Sequence, residues 1–205
     1  MRQAALIAGA AATALVAAGA ITYAVAGDDG GGQAPSAESA DAGFARDMAV
    51  HHQQAVEMSY IVRDRTKDEE VRRLAYDIAQ TQANQRGMML GWLDLWGLPK
   101  VSSEAPMTWM DMGMASGKDG ALMPGMATNT EMKKLGTLSG KQAEIFYLQL
   151  MTDHHKGGIH MAEGCVEKCA VGVEKRLAQG MVDAQQSEIG LMADLLKERG
   201  ATPRT

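Results

Sequence analysis

From residue 44 to residue 98, apolar residues recur every three or four positions and no proline interrupts the run. This spacing places apolar side chains along one face of a helix, the face that packs into a core. The run is broken once, near Thr66, and residues 140–169 and 173–200 show the same pattern. Four long helices joined by short links within each pair predict an all-α, antiparallel four-helix bundle.

Polar tetrapeptides predict where these helices begin. Residues 66–69, Thr-Lys-Asp-Glu, have the form of a capping box that opens the second helix, and residues 139–142 resemble one before the third long helix. Thr128 and Glu131 predict a further short helix between the halves. Gly97 followed by Pro99 marks the end of the second helix.

The second half of the pattern repeats the first at an offset of 103 positions without a gap. The copies span residues 44–99 and 147–202, and a Met-rich connector, residues 100–127, joins them. A solenoid needs at least ~3 stacked repeats. Two copies therefore predict a duplicated helical hairpin that closes on its twin, giving one domain over residues 44–202.

The N-terminal residues 1–26 predict an export signal or a membrane anchor. Arg2 precedes an uncharged, Ala-rich run, and Ala24-Val-Ala26 has the form of a cleavage site. Residues 4–26 are also long enough to span a bilayer, so cleavage and retention as an anchor both stay open. Residues 27–43 are polar and Gly-rich, which predicts a flexible linker. The domain is expected outside the cytosol, secreted or membrane-anchored.

Charge and motif content narrow the function classes. The net charge is −5, which argues against nucleic acid as a partner because such binding depends on basic contacts to phosphate. Di-iron bundles need Glu three residues before His, and no histidine of this sequence has one. We expect no catalytic activity of the chain itself, although redox chemistry of a bound metal stays open.

All five histidines lie in the two copies of one segment, each copy flanked by methionines. Neutral imidazole binds transition metals, and thioethers select soft ions such as Cu(I). Residues three or four apart are neighbours on a helix, so Met and His of one copy can share an ion. The helical spacing turns these side chains inward, whereas His160 takes the opposite face. The candidate ligands of the bundle are Met48, His51, His52, Met58, Met151, His154, His155 and Met161.

Polar residues in the middle of the other two helices are expected to face the histidines. These are Gln82, Gln85, Gln185 and Glu188. One interpretation is that they orient imidazoles that bind a metal. The alternative is a polar core layer in which His, Gln and Glu satisfy one another and fix helix register without a ligand. In that case the protein would be an envelope-associated helical interaction module.

The connector holds a second group of candidate ligands, Met107, Met110, Met112 and Met114, with Met123 and Met126 further on. These thioethers are separated irregularly by glycines, which predicts a soft-metal segment that is mobile until it binds Cu(I). The alternative is a hydrophobic flap. Because imidazole titrates and thioether does not, we expect copper in the bundle to be released between about pH 7.5 and 5, and copper on this segment to stay.

Cys165 and Cys169 leave three states open. At i and i+4 they lie close enough for a disulfide, which an oxidising compartment favours. Both could instead serve as thiolate ligands on the metal-facing side of the helix, or remain free and buried.

The repeated segment Met-x-x-His-His-x-x-(Ala/Gly)-(Ile/Val)-x-Met, ending at Met58 and at Met161, resembles the family known as domain of unknown function 305. Residues 131–146 carry a further part of the resemblance. The resemblance implies a ferritin-like four-helix fold, an exported or anchored location and, for some members, copper binding and copper tolerance. The copies differ, since residues 53–54 are Gln-Gln and residues 156–157 are Lys-Gly, and Gln85 stands where Glu188 is acidic. The two half-sites are therefore expected to differ in affinity.

Together these patterns predict an exported protein that binds or buffers copper, as Cu(I), through Met and His. The metal ion is the expected ligand and partner.

Overall fold

The computed structural model describes residues 34–112 and 117–204. These residues form five α-helices: α1 Ala40–Arg65, α2 Glu69–Leu95, α3 Asn129–Thr137, α4 Gly140–Lys168 and α5 Gly172–Glu198. The prediction of an all-α bundle is confirmed. The predicted signal or anchor, residues 1–26, lies outside the described residues. Among the helices that are described, none has the length and apolar character to cross a membrane.

The bundle core consists of two apolar clusters, one on each side of the histidines. Helix α1 packs against α2 and α4, and α4 packs against α5. Met58 and Met151 lie in one cluster, and Met48 and Met161 in the other. This pairing shows that α1 and α4 run antiparallel. The inward face predicted for both helices is buried along its whole length.

The first helix begins earlier than the sequence pattern indicates. It starts at Ala40, so residues 40–43 are helical and the predicted linker ends before them. Asp41 is buried, and its Oδ1 accepts hydrogen bonds from the amides of Ala170 and Val171 at 2.9 and 2.7 Å. Val171 is the N-cap residue of α5, and Ala170 precedes it. The start of α1 is therefore bonded to the residues that lead into α5.

The capping box predicted at Thr66 is wrong. Asp68 caps α2, since its Oδ1 accepts from the amide of Val71 at 3.0 Å. The Thr66 hydroxyl instead donates to Glu144 Oε1 at 2.6 Å, and Arg199 donates to the other oxygen of that carboxylate at 2.7 Å. A residue on a distant helix thus competes successfully for the threonine side chain. This buried network joins α1, α4 and α5 at one end of the bundle.

The two other predicted caps have opposite outcomes. Ser139 precedes α4, but its side chain makes no capping hydrogen bond, so that prediction is also wrong. The box of Thr128 and Glu131 is confirmed at the start of α3, where each side chain bonds the other residue's amide.

Candidate metal centre

Four histidines from α1 and α4 meet in the middle of the bundle, and each is 0% exposed. The rings of His51 and His154 stack with centroids 3.7 Å apart. Beside them, Gly158 leaves room for a side chain of α5, because a Cβ at this position would lie 2.5 Å from Oε1 of Gln185. The inward direction predicted for both His pairs is therefore present in the structure. We call His51, His52, His154 and His155 the histidine layer.

Three histidines of this layer present Nε2 to an oxygen acceptor. His52 Nε2 lies 2.9 Å from Gln85 Oε1, and His155 Nε2 lies 2.6 Å from Glu188 Oε2. His154 Nε2 lies 3.0 Å from the backbone oxygen of His51. Because these oxygens only accept, Nε2 carries the proton in each ring, and the lone pair of the neutral imidazole is on Nδ1. The expectation that Gln85 and Glu188 face the histidines agrees with this geometry.

Several buried polar atoms in the layer and beside it have no hydrogen-bond partner among the described residues. They are Nδ1 of His52, His154 and His155, both ring nitrogens of His51, and Oε1 of Gln82 and Gln185. A buried polar atom without a partner costs about 1–3 kcal/mol. Gln82 and Gln185 are buried beside the histidines, but they do not bond the free ring nitrogens. The interpretation without a ligand requires that these nitrogens have hydrogen-bond partners.

Burial keeps the imidazoles neutral. Loss of hydration, followed by repulsion from His52, lowers the pKa of His51 to about 3, and the nearby Pro124 carbonyl only partly opposes this. Loss of hydration likewise lowers the pKa of His52 to about 3, against the hydrogen bond with Gln85. For His154 burial and the neighbouring histidines place the pKa well below its usual value. Protons therefore do not compete with a metal ion for these rings at pH 5. The release of copper that the sequence predicted for unperturbed imidazoles is now expected in more acidic solution.

The histidines do not form a three-imidazole site. Within residues 34–112 and 117–204, the only trio of His, Cys, Asp or Glu ligand atoms that converges belongs to Cys165, Cys169 and Glu174. An ion in the histidine layer thus needs other donors. The four methionines predicted as ligands are 0% exposed and lie in the adjoining apolar clusters, Met48 and Met161 on one side and Met58 and Met151 on the other.

A narrow crevice between α2 and α5 leads toward the layer. It is lined by Gln82, Gln85, Gln185 and Glu188, with apolar residues around them. The side chain of Glu188 is 25% exposed, whereas its partner His155 is fully buried. Glu188 therefore connects the buried His155 to the surface of the bundle.

Residues 123–127, which we call the strap, cover the layer on the α1 and α4 side. Gln54 holds the strap with two hydrogen bonds to Ala127: its Nε2 donates to the oxygen at 2.8 Å and its Oε1 accepts from the amide at 2.7 Å. At the equivalent position of α4, a Cβ on Gly157 would lie 1.9 Å from the Pro124 oxygen. The Gln-Gln and Lys-Gly difference between the copies thus corresponds to one residue that binds the strap and one that makes room for it.

The connector methionines do not form one cluster. Met107 is 0% exposed and Met123 is 4% exposed, both in the apolar core, which agrees with the alternative of a hydrophobic flap for these two residues. Met110 packs against α4, where a Cβ on Gly164 would lie 2.4 Å from its methyl carbon. Met112 is exposed, and Met114 lies outside the described residues. A packed flap describes this part of the connector better than a free metal-binding segment.

Cys165 and Cys169 form a disulfide, one of the three states left open by the sequence. The nearby Glu174 is fully buried, and burial followed by the charge of Asp41 raises its pKa to about 9. With both sulfurs in the disulfide and the carboxyl protonated, this trio offers no anionic ligand at neutral pH.

His160 has a contact that the helical pattern did not indicate. It is exposed on the outer face of α4, as expected, but its Nε2 lies 3.4 Å from the sulfur of Met112. The pattern along one helix carries no information on which connector residue returns to that face.

The sequence of residues 41–196 matches the family described as "Domain of unknown function (DUF305)". The chain belongs to the DUF305 family. A DUF305 structure from Streptomyces coelicolor, described as a "putative secreted protein", is 77% identical with a TM-score of 0.78, and the match covers 83% of this chain and 99% of that one. A DUF305 fragment from Deinococcus radiodurans is 30% identical with a TM-score of 0.64, covering 78% and 96% of the two chains.

More distant structures share the DUF305 fold. CopM in its Cu(II)-bound form is 21% identical with a TM-score of 0.61, and the match covers 78% of this chain and 97% of that one. CopM has also been solved in Cu(I)-bound and Ag-bound forms. At this identity the likeness concerns the fold. No curated protein matches the chain.

Proposed function

We propose that this DUF305 protein is exported and binds copper, as Cu(I), in the histidine layer, and that it buffers the ion without catalysis. The observation that carries the proposal is the set of buried Nδ1 lone pairs without partners on His52, His154 and His155. Each ring donates its other nitrogen to a carbonyl or carboxylate, the arrangement that fixes a metal-binding histidine in tautomer and orientation.

The donor set fits a soft ion. Burial keeps His51, His52 and His154 neutral, as metal ligation requires. Thioethers adjoin the layer on both sides, and thioether with imidazole is a set that suits Cu(I) better than Mg²⁺ or Ca²⁺. The solved CopM structures contain copper and silver in a bundle of the same fold, which supports the choice of ion. The description of the Streptomyces coelicolor structure as secreted supports export.

The test removes two ligands and counts bound copper. Replacing His154 and His155 by Ala should abolish at least one tight Cu(I) equivalent in a competition titration, while the far-ultraviolet circular dichroism stays helical. Ser59→Ala is the matched control, because Ser59 is buried on the same face of α1 and bonds Tyr147 of α4 at 3.0 Å without offering a soft ligand. Copper binding that is unchanged in a folded double variant contradicts the assignment. Oxidase turnover by the copper-loaded protein would contradict the purely binding role.

The alternative function, an interaction module with a polar core, makes the opposite prediction. If the histidine layer exists only to fix helix register, the protein purified without a His tag should bind no Cu(I) tightly. The unpartnered nitrogens and the unpartnered amide oxygens of Gln82 and Gln185 weigh against this alternative, since a ligand-free register layer is stable only when its members are satisfied.

A further inference from the structure

His160 has no part in the histidine layer, yet the fold brings a thioether to it. Its Nε2 lies 3.4 Å from Sδ of Met112, and both side chains are exposed. The two residues are 48 positions apart in sequence, so this contact depends on how the connector folds back on α4. It lies on the outer face of the helix, whereas the histidine layer is on the inner face.

The connector is held in this place by several contacts. Met107 and Asp111 have φ values of 68° and 59°, a left-handed conformation that costs free energy for residues other than glycine. Asp47 of α1 stabilises the turn by accepting from the amide of Met107 and from Trp109 Nε1, at 2.8 and 2.9 Å. Asp111 pairs with Lys168 of α4 at 2.9 Å.

A thioether supports the turn from the α4 side. Met110 fills the space above Gly164, one turn beyond His160 on the same helix. The residues before Met112 are therefore fixed to α1 and α4 on both sides, and the position of its sulfur beside the imidazole is specified by the fold.

The geometry of the pair suits one metal ion. If the zinc-site lengths of about 2.0 Å to imidazole nitrogen and about 2.3 Å to sulfur are used as a guide to a first-row ion such as Cu(I), donors 3.4 Å apart subtend about 104° at the ion. That angle is close to tetrahedral. The ordinary alternative is a weak N–H···S hydrogen bond, in which Nε2 keeps its proton.

We propose that Met112 and His160 form a second, solvent-accessible site for a soft monovalent cation, Cu(I) or Ag(I). Two neutral donors, one of them a thioether, favour such an ion over Zn²⁺ or Mg²⁺. The site is independent of the histidine layer, and its remaining coordination positions are open to solvent. Because the layer is buried and this pair is exposed, an added ion reaches this pair without entering the bundle core.

Silver ion is the probe, since it does not change oxidation state, and the protein carries ¹³C in its methionine methyl groups. On adding Ag(I) in steps up to two equivalents, the methyl resonance of Met112 should shift. Met88 of α2 is the internal control, because the two side chains are equally exposed, at 40% for Met88 and 41% for Met112. Equal shifts of both resonances, or no shift of Met112, overturn the proposal.

Variants separate this site from the proposed function. His160→Gln and Met112→Leu should each remove one Ag(I) equivalent, and Met88→Leu should remove none. The double variant of His154 and His155 to Ala should retain the Met112 shift. If His160→Gln binds as much silver as the wild type, the second site is wrong and the histidine layer is untouched. If the double variant of His154 and His155 binds as much silver as the wild type, while His160→Gln binds less, the proposed function fails and the second site stands.

Discussion

Lowering the pH should destabilise the metal-free protein far above the pH at which its buried histidines accept protons. Burial lowers the pKa of His51 and His52 to about 3 and that of His154 well below 6.5. The folded protein therefore keeps these rings neutral, whereas the unfolded chain protonates them as the pH falls below about 6.5. A depressed histidine pKa favours unfolding in acid, since the unfolded state binds more protons. Stability should thus be fully present above pH 6.5 and be lost below it.

The magnitude follows from the number of protons. Each of the three histidines changes the free energy of unfolding by about 1.4 kcal/mol per pH unit between its two pKa values. Glu174 acts in the opposite direction, because its folded pKa of about 9 exceeds its usual 4.5 and the folded state alone holds that proton in this range. Asp47, whose pKa burial also raises, acts as Glu174 does. The three histidines less Glu174 leave a net of two protons, which gives a loss of about 5 kcal/mol from pH 6.5 to 4.5 before Asp47 reduces it, against a typical total of 5–15 kcal/mol.

The assay is urea unfolding of chelator-treated protein at pH 7, 6 and 5, followed by circular dichroism. His154→Gln should reduce the slope of stability against pH by about 1.4 kcal/mol per unit. Ser59→Ala should change the stability itself and leave the slope unchanged. A stability that is flat, or that rises, from pH 6.5 to 4.5 would refute the account of three buried neutral histidines. Copper should protect the protein in the same range, because the rings it occupies remain neutral there.

Two further predictions concern the surroundings of the histidine layer. Glu188→Gln removes the carboxylate that accepts from His155 and should weaken Cu(I) affinity by about 10–100-fold in a competition titration, the usual effect of losing such a partner; an affinity within a factor of two of the wild type would contradict this role. Gly157→Ala should displace the strap, because its Cβ meets the Pro124 oxygen, and should lower the melting temperature. Gly180→Ala, at an exposed helical position with nothing within 4 Å, should stabilise by about 0.5–1 kcal/mol. Equal effects of the two glycine changes would show that the strap is not packed as described.

The helices and their inward faces could be predicted because they depend on local spacing. The stripes that contain His51 and His154 follow from the helical period alone, and the expectation that Gln85 faces the histidines follows from polar positions on the second helix. Two of the three predicted caps failed, and for Thr66 the reason lies elsewhere in the chain. Thr66 has the local sequence of a cap, but Glu144 takes its hydroxyl. The propensity of a local sequence to cap a helix does not include hydrogen bonds with residues of another helix.

The connector was the least predictable part of the candidate site. Its methionines have no periodicity, so the sequence could not distinguish Met107, which is in the core, from Met112, which is exposed and contacts His160 of α4. The role of Gln54 was likewise hidden, since only the folded strap shows that it binds Ala127. The contact between Met112 and His160 had a single signal in the sequence, a fifth histidine placed away from the core.

The most direct test of the central claim is a ¹⁵N spectrum of the imidazoles as Cu(I) is added in single equivalents. In the metal-free protein, His52 and His154 should be neutral Nε2–H tautomers. On binding, the Nδ1 resonance of at least one histidine of the layer should shift strongly while its Nε2–H signal persists. Nδ1 resonances that stay unchanged in protein that has bound copper would contradict ligation by the histidine layer.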